Sequence, residues 1–93
     1  MEIRHFITFK KIVELGSFTR ASEDLGYAQS SITSHIQALE SSLGGQLFDR
    51  VGKKVTLTDT GNQLLKYVNE LLITYEKIEH IRYEQDIPSG VIR

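Results

Sequence analysis

The sequence predicts a mainly α fold: three short helices, a two-stranded ribbon, and one long closing helix. Three observations predict it. Glycines at Gly16, Gly26 and Gly44-Gly45 close three segments whose apolar residues recur at helical spacing. Two short β-patterned runs, 47–50 and 55–57, flank a Gly52-Lys53-Lys54 turn. From Thr58 onward an apolar pattern with four-three spacing persists until Pro88.

The first helix spans residues 2–15, with Ile3, Phe6, Phe9 and Val13 on one stripe and Gly16 at the position after its end. Ser17 is placed to cap a second helix, Phe18 to about Leu25, which Gly26 ends. Two helices this close, joined by a glycine turn, predict helix-turn-helix organisation.

The third helix runs from Gln29 to about Leu43. Ile32, Ile36, Leu39 and Leu43 form its buried face. At about 100° per residue the opposite face carries Ser30, Ser34, Gln37 and Ser41, with Thr33 at the border. A solvated helix face usually carries Glu and Lys, which favour helix. Small hydroxyls lower helix propensity. A face built from them is shaped to lie against a polar partner such as base edges and phosphates.

The ribbon, tipped with lysines, has the form of a wing that touches a sugar-phosphate backbone. Thr58 is placed to cap the last helix, which extends to about Ile87 before Pro88 stops it. Such a helix is about 40 Å long, too long to bury against so small a head. Leu64, Val68, Leu71, Tyr75, Ile78 and Arg82 define a seam at four-three spacing, with Leu65 and Leu72 beside it. A second copy of the same helix is its expected cover.

The chain of 93 residues has a formal net charge of -1. That is low for a nucleic-acid binder, but distribution matters more than the sum. No acid occurs between Gln29 and Leu39, and 50–54 holds three cations and no acid. Acids gather late, at Asp59, Glu70, Glu76, Glu79, Glu84 and Asp86. There are no cysteines, which excludes disulfides, thiolate metal sites and a Cys nucleophile. No apolar run approaches the roughly 20 residues of a membrane span, and no signal-peptide pattern opens the chain. A reducing cytoplasm is the expected setting.

Gly16-Ser17-Phe18-Thr19-Arg20-Ala21 with Leu25-Gly26 resembles the first half of the helix-turn-helix of LysR-type transcriptional regulators. Gln29, Ile32, Thr33, Ile36, Leu39 and Glu40 fall where that family's recognition helix keeps its pattern. Leu43-Gly44 and Leu47-Phe48-Asp49-Arg50 resemble the run into the wing, and Leu57-Thr58 with Gly61 the start of the linker helix. The resemblance covers the chain in order and without gaps. It implies three regions: a winged helix-turn-helix over 1–58, a linker helix for dimerisation over 59–87, and a hinge over 88–93 toward an effector domain lying beyond this chain. It also implies the bacterial nucleoid as the setting, a homodimer on an interrupted inverted repeat in double-stranded DNA, a tetramer at full length, and a small-molecule effector bound only by the further domain. Three positions depart from the family pattern. Ala28 replaces the usual Ser or Thr cap, Ser30 stands where Pro is frequent, and Thr33 replaces a common Ser. Ser30 is placed to compensate for the missing cap.

Gln29, at the leading end of the recognition helix, is the main candidate for base readout, since its amide donates and accepts toward adenine. Ser30, Ser31, Thr33, Ser34 and Gln37 are candidates for base or phosphate contacts, and His35, on the flank, for a phosphate. Arg50, Lys53 and Lys54 are expected on phosphates, the two lysines reaching toward the minor groove. Ser17, Thr19 and Arg20 open the second helix, where backbone N–H groups suit an anion. Leu64, Val68, Leu71, Leu72, Tyr75 and Ile78 are the expected dimer contacts. No catalytic residue, metal or cofactor is expected. His5, His35 and His80 are scattered over separate elements, and Ser34 and His35 diverge by about 100° on one helix. The alternative is a coiled-coil or protein-interaction adaptor without DNA binding, which would have no need of an acid-free face beside a cationic wing.

Overall fold

A computed structural model describes residues 1–52 and 54–86. Lys53 in the turn and the expected hinge, 88–93, lie outside the described residues, as does Ile87. The elements follow in the order α1 (Ile3–Leu15), α2 (Phe18–Leu25), α3 (Gln29–Leu43), β1 (Phe48–Val51), β2 (Lys54–Leu57) and α4 (Asp59–Asp86).

The helix limits arise from local chemistry. At the start of α1 the Glu2 backbone N–H donates to His5 Nδ1 at 3.4 Å. The Ser17 hydroxyl accepts from the Arg20 backbone N–H at 3.1 Å, capping α2. Gly16 and Gly26 adopt left-handed φ of 67° and 76°. That conformation turns their N–H groups onto Ile12 O and Ser22 O, at 2.7 and 2.9 Å, and closes each helix. These two turns set α1, α2 and α3 against one another between Ile3 and Leu43.

Phe9 and Ile12 of α1, Ala21 of α2 and Ile32, Ile36 and Leu39 of α3 form the centre of the core. Leu47 and Phe48 close it from the wing side. The Phe48 ring meets Phe9 at 5.4 Å and Phe18 edge-on at 5.5 Å. The wing is an antiparallel pair in the register Phe48↔Leu57, Asp49↔Thr56, Arg50↔Val55 and Val51↔Lys54. Phe48 and Leu57 thus both turn toward the head, and the far end of the ribbon projects away.

Thr58 joins the wing to α4. Its hydroxyl donates to the Gln46 carbonyl at 2.6 Å and accepts from the Gly61 N–H at 3.0 Å, while its own N–H donates to Leu47 O at 3.0 Å. The Glu40 carboxylate accepts from the Leu47 N–H at 2.9 Å, tying the same segment to α3. Gly61 packs directly on this junction: a Cβ there would lie 2.2 Å from the Leu47 carbonyl oxygen.

Two expectations about the core are corrected. Val68, assigned to an intermolecular seam, is only 1% exposed and belongs to the head core. Leu64, Leu65 and Leu72 pack beside it, and Lys10 of α1 donates to the Asn69 side-chain carbonyl. The first half of α4 is therefore docked on its own head. Leu43, assigned to the buried face of α3, is 41% exposed, because α3 outruns the core at its last turn.

Candidate nucleic-acid interface

The outward face of α3 is as the periodicity predicts. Gln29, Ser30, Thr33, Ser34, Gln37 and Ser41 are exposed, and Ser31 is half-buried. Ala28 stands at the N-cap in extended conformation and no side chain caps the helix. Ser30 does not take over that function: it is already the second residue of the helix, and no side chain caps the first turn. The Ala28 carbonyl instead accepts from Ser31 and Ile32 N–H groups at 3.0 and 3.2 Å.

Two recesses join this face to the wing. One is lined by Thr33 and Gln37 of α3 together with Phe18, Phe48 and Arg50. The other is lined by Ser17, Phe18 and Thr19 of α2 together with Arg50, Gly52 and Lys54. Phe18 and Arg50 are common to both, so the start of α2, the face of α3 and the wing make one continuous polar surface. The Arg50 guanidinium carbon lies 4.0 Å over the centre of the Phe18 ring. Cation–π contact fixes a side chain that would otherwise sweep through solvent. The sequence assigns Phe18 no part in the interface, because nothing local shows that β1 will cross over it.

Charge pairing sorts the cations. Lys11 bridges Glu14 at 3.4 Å and Asp24 at 3.2 Å, and Arg4 pairs with Glu2 at 3.0 Å. Its carboxylate partners, Asp24 first, raise the Lys11 pKa above its usual 10.5. Among the described residues Arg20, Arg50 and Lys54 take part in no such pair, and neither do Lys10, Lys66 and Lys77 on α1 and α4. Of these, Arg50 and Lys54 line the two recesses, and Arg20 follows Thr19 on α2. Ser17 is spent on its cap, and Thr19 accepts from the Gln29 amide at 3.2 Å.

His35 departs from the expectation. It is 8% exposed and faces α1 rather than solvent. Its Nδ1 lies 2.8 Å from Thr8 Oγ1, and its ring packs against His5 at 4.9 Å and edge-on against Tyr27 at 5.0 Å. Burial, then the nearby His5 and Arg4 charges, lower its pKa from 6.5. His35 bolts α3 to α1 and is withdrawn from the set of phosphate contacts.

The face of α4 turned away from the head leaves Tyr67, Leu71, Ile73, Ile78, Ile81 and Tyr83 between 40% and 65% exposed. Tyr67, Leu71, Thr74, Ile78 and Ile81 follow four-three spacing and cover an arc of about 80°. Of the expected seam, Leu71 and Ile78 lie on this free stripe, Tyr75 is half-buried, and Val68 and Leu72 are turned onto the head. Leu64 lies between the two faces. An apolar groove lined by Met1, Phe6, Leu43, Leu64, Tyr67 and Leu71 continues the stripe over the head.

Among the described residues no cluster of three or more His, Cys, Asp or Glu could hold a metal ion. No helix among them is long and apolar enough to cross a membrane.

Residues 3–62 match the family model described as bacterial regulatory helix-turn-helix protein, lysR family. The chain is 40% identical over 93 residues to the uncharacterized HTH-type transcriptional regulator YfiE of Escherichia coli (strain K12), covering 100% of this chain and 32% of that protein. It is 37% identical over 93 residues to the HTH-type transcriptional regulator CzcR of Bacillus subtilis (strain 168), with coverage of 100% and 32%. The chain thus spans about a third of the length of the curated relatives it matches. Among solved structures it is similar to a BenM_DBD/catB site 1 DNA complex, with 34% identity, a TM-score of 0.83, and coverage of 90% of this chain and 94% of that one. A CbnR_DBD–DNA complex is similar with 28% identity and a TM-score of 0.81, covering 94% of this chain and 100% of that one.

Proposed function

The chain belongs to the lysR family of bacterial regulatory helix-turn-helix proteins, and from that membership we propose that it is the DNA-binding end of a transcription regulator, working in the cytoplasm as a dimer on an interrupted inverted repeat. The observation that carries the proposal is the continuous surface formed by α3, the start of α2 and the wing. An exposed, acid-free face from Gln29 to Gln37 adjoins Arg50 and Lys54, which among the described residues form no ion pair, although Glu40 and Asp49 line the same recess as Arg50. The likeness to two solved protein–DNA complexes supports it.

In this reading α3 enters the major groove with Gln29 leading, and Ser30, Thr33, Ser34 and Gln37 follow along base edges and phosphates. Ser31, half-buried, contributes at the margin. Arg20, Arg50 and Lys54 neutralise phosphates, each releasing counterions. Lys53 joins them on its sequence position alone. The free stripe of α4, with the groove over Met1, Phe6 and Leu43, receives the same helix of a second copy.

The test is selection of bound duplexes from a random DNA pool, followed by titration of the winner at several salt concentrations. An enriched interrupted repeat whose affinity falls steeply with salt is expected. Absence of both enrichment and salt dependence would overturn DNA binding and leave the winged helix as a protein-docking module.

A further inference from the structure

Thr19 stands in the first turn of α2, and Gln29 opens α3. The Gln29 amide nitrogen donates to Thr19 Oγ1 at 3.2 Å across the turn between them. Both side chains are exposed, so the contact is made at the surface that would meet DNA. We infer that Thr19 is a positioning residue that fixes which end of the Gln29 amide faces the groove, and thereby sets a preference for adenine over guanine at that base pair. The inference rests on the reading of α3 as the base-reading helix.

The argument is one of donor and acceptor inventory. A glutamine amide has one acceptor oxygen and two N–H donors. Adenine presents an N6–H donor beside the N7 acceptor in the major groove, whereas guanine presents two acceptors, O6 and N7. With one N–H spent on Thr19, Gln29 keeps its oxygen and its second N–H, the pair that adenine complements. Turned end for end, the amide would offer guanine two donors. An untethered amide adopts either orientation.

Thr19 blocks the turned orientation only if its hydroxyl accepts rather than donates. Its surroundings supply that polarity. Thr19 lines the same recess as Arg50 and Lys54, where a phosphate is drawn by both cations. The hydroxyl proton is donated to a phosphate oxygen, and the lone pairs are left for the Gln29 N–H. Thr19 is itself held in place: its carbonyl accepts from Ser22 Oγ at 2.7 Å, and Ser17 caps the same turn at 3.1 Å.

The experiment compares the chain with Thr19→Val, Thr19→Ser and Gln29→Ala. Each is titrated, at one salt concentration, against the selected duplex and against copies carrying every single base-pair change. Gln29→Ala identifies the base pair that Gln29 reads. At that pair the chain is expected to favour adenine over guanine by about tenfold or more. Thr19→Val, equal in size and lacking the hydroxyl, should bring the ratio to within about twofold of parity. Thr19→Ser should restore it. If Thr19→Val weakens binding equally to all duplexes and the ratio survives, Thr19 is only a phosphate contact and the inference fails while Gln29 remains a base reader. If Gln29→Ala leaves every base preference intact, the base-reading assignment itself fails and takes the inference with it.

Discussion

Replacing Gly61 by alanine tests the junction that holds the wing, α3 and α4 together. The added Cβ would stand 2.2 Å from the Leu47 carbonyl oxygen and 2.8 Å from Leu57 Cδ2. A carbon–oxygen contact is ordinary only from about 3.3 Å, so the two backbones must part by roughly 1 Å. The same carbonyl accepts the Thr58 N–H at 3.0 Å, and that bond stretches with them. Overpacking costs about 1–3 kcal/mol and a weakened hydrogen bond about 1 kcal/mol. The better helix propensity of alanine returns about 1 kcal/mol. The net loss is about 2 kcal/mol, and for a domain of this size it lowers the melting temperature by about 8–16 °C. Circular dichroism melts at one fixed protein concentration measure it, since dimer formation makes the midpoint concentration-dependent. Asn62→Ala, one residue on and exposed, gains propensity without the clash and should melt at or above the parent temperature. A Gly61→Ala chain that melts no lower than the parent would refute the close approach, and with it the account of how the wing is fixed.

Other substitutions separate the surfaces. Leu71→Lys with Ile78→Lys, both on the free stripe of α4, should halve the sedimenting mass while the fold survives; a double mutant that remains dimeric would place the partner elsewhere. Val68→Lys should instead unfold the head, because it buries a charge in the core. Arg50→Ala or Lys54→Ala should each weaken binding to all duplexes and reduce the slope of log K against log salt by about 1; an unchanged slope would remove that residue from the phosphate contacts. Acid should destabilise the fold through His35. Its folded pKa is lowered from 6.5, so below that pH the unfolded chain takes up the proton first and stability falls. The loss has a slope of at most about 1.4 kcal/mol per pH unit and levels off below the folded pKa. Urea midpoints of the parent and of His35→Gln between pH 5 and 8 check this, and parallel profiles would exclude His35 as the titrating group.

The likeness to LysR-type regulators was legible along the whole chain, because its motifs are local: glycine turns, a capping serine, a lysine-bearing ribbon. The candidate interface was only partly so. Gln29, Thr33 and Gln37 are exposed on the outward face of α3 as helical periodicity requires. Arg50 was legible as a cation but not as one held over Phe18, since that pairing joins residues 18 and 50 across the fold. His35 lies between the apolar and polar faces of its helix, and its angle alone permits either solvent or burial. The approach of Thr8 and His5 from α1 decides for burial.

What the sequence alone determined is the order, extent and polarity of the elements. Left-handed glycines, the Ser17 and Thr58 caps and the spacing of apolar residues act over a few residues, and each segment carries its own instruction. What only the tertiary structure decided is which of two apolar faces of α4 meets the head. Leu64, Val68 and Leu72 repeat as regularly as Tyr67, Leu71 and Ile78, and period alone cannot rank them. Docking at Gly61 and Leu47 sets the roll of the helix about its axis. That roll buries Val68 and leaves Leu71, Ile78 and Ile81 for another surface. The choice depends on contacts between residues far apart in the chain, which exist only once the head has folded.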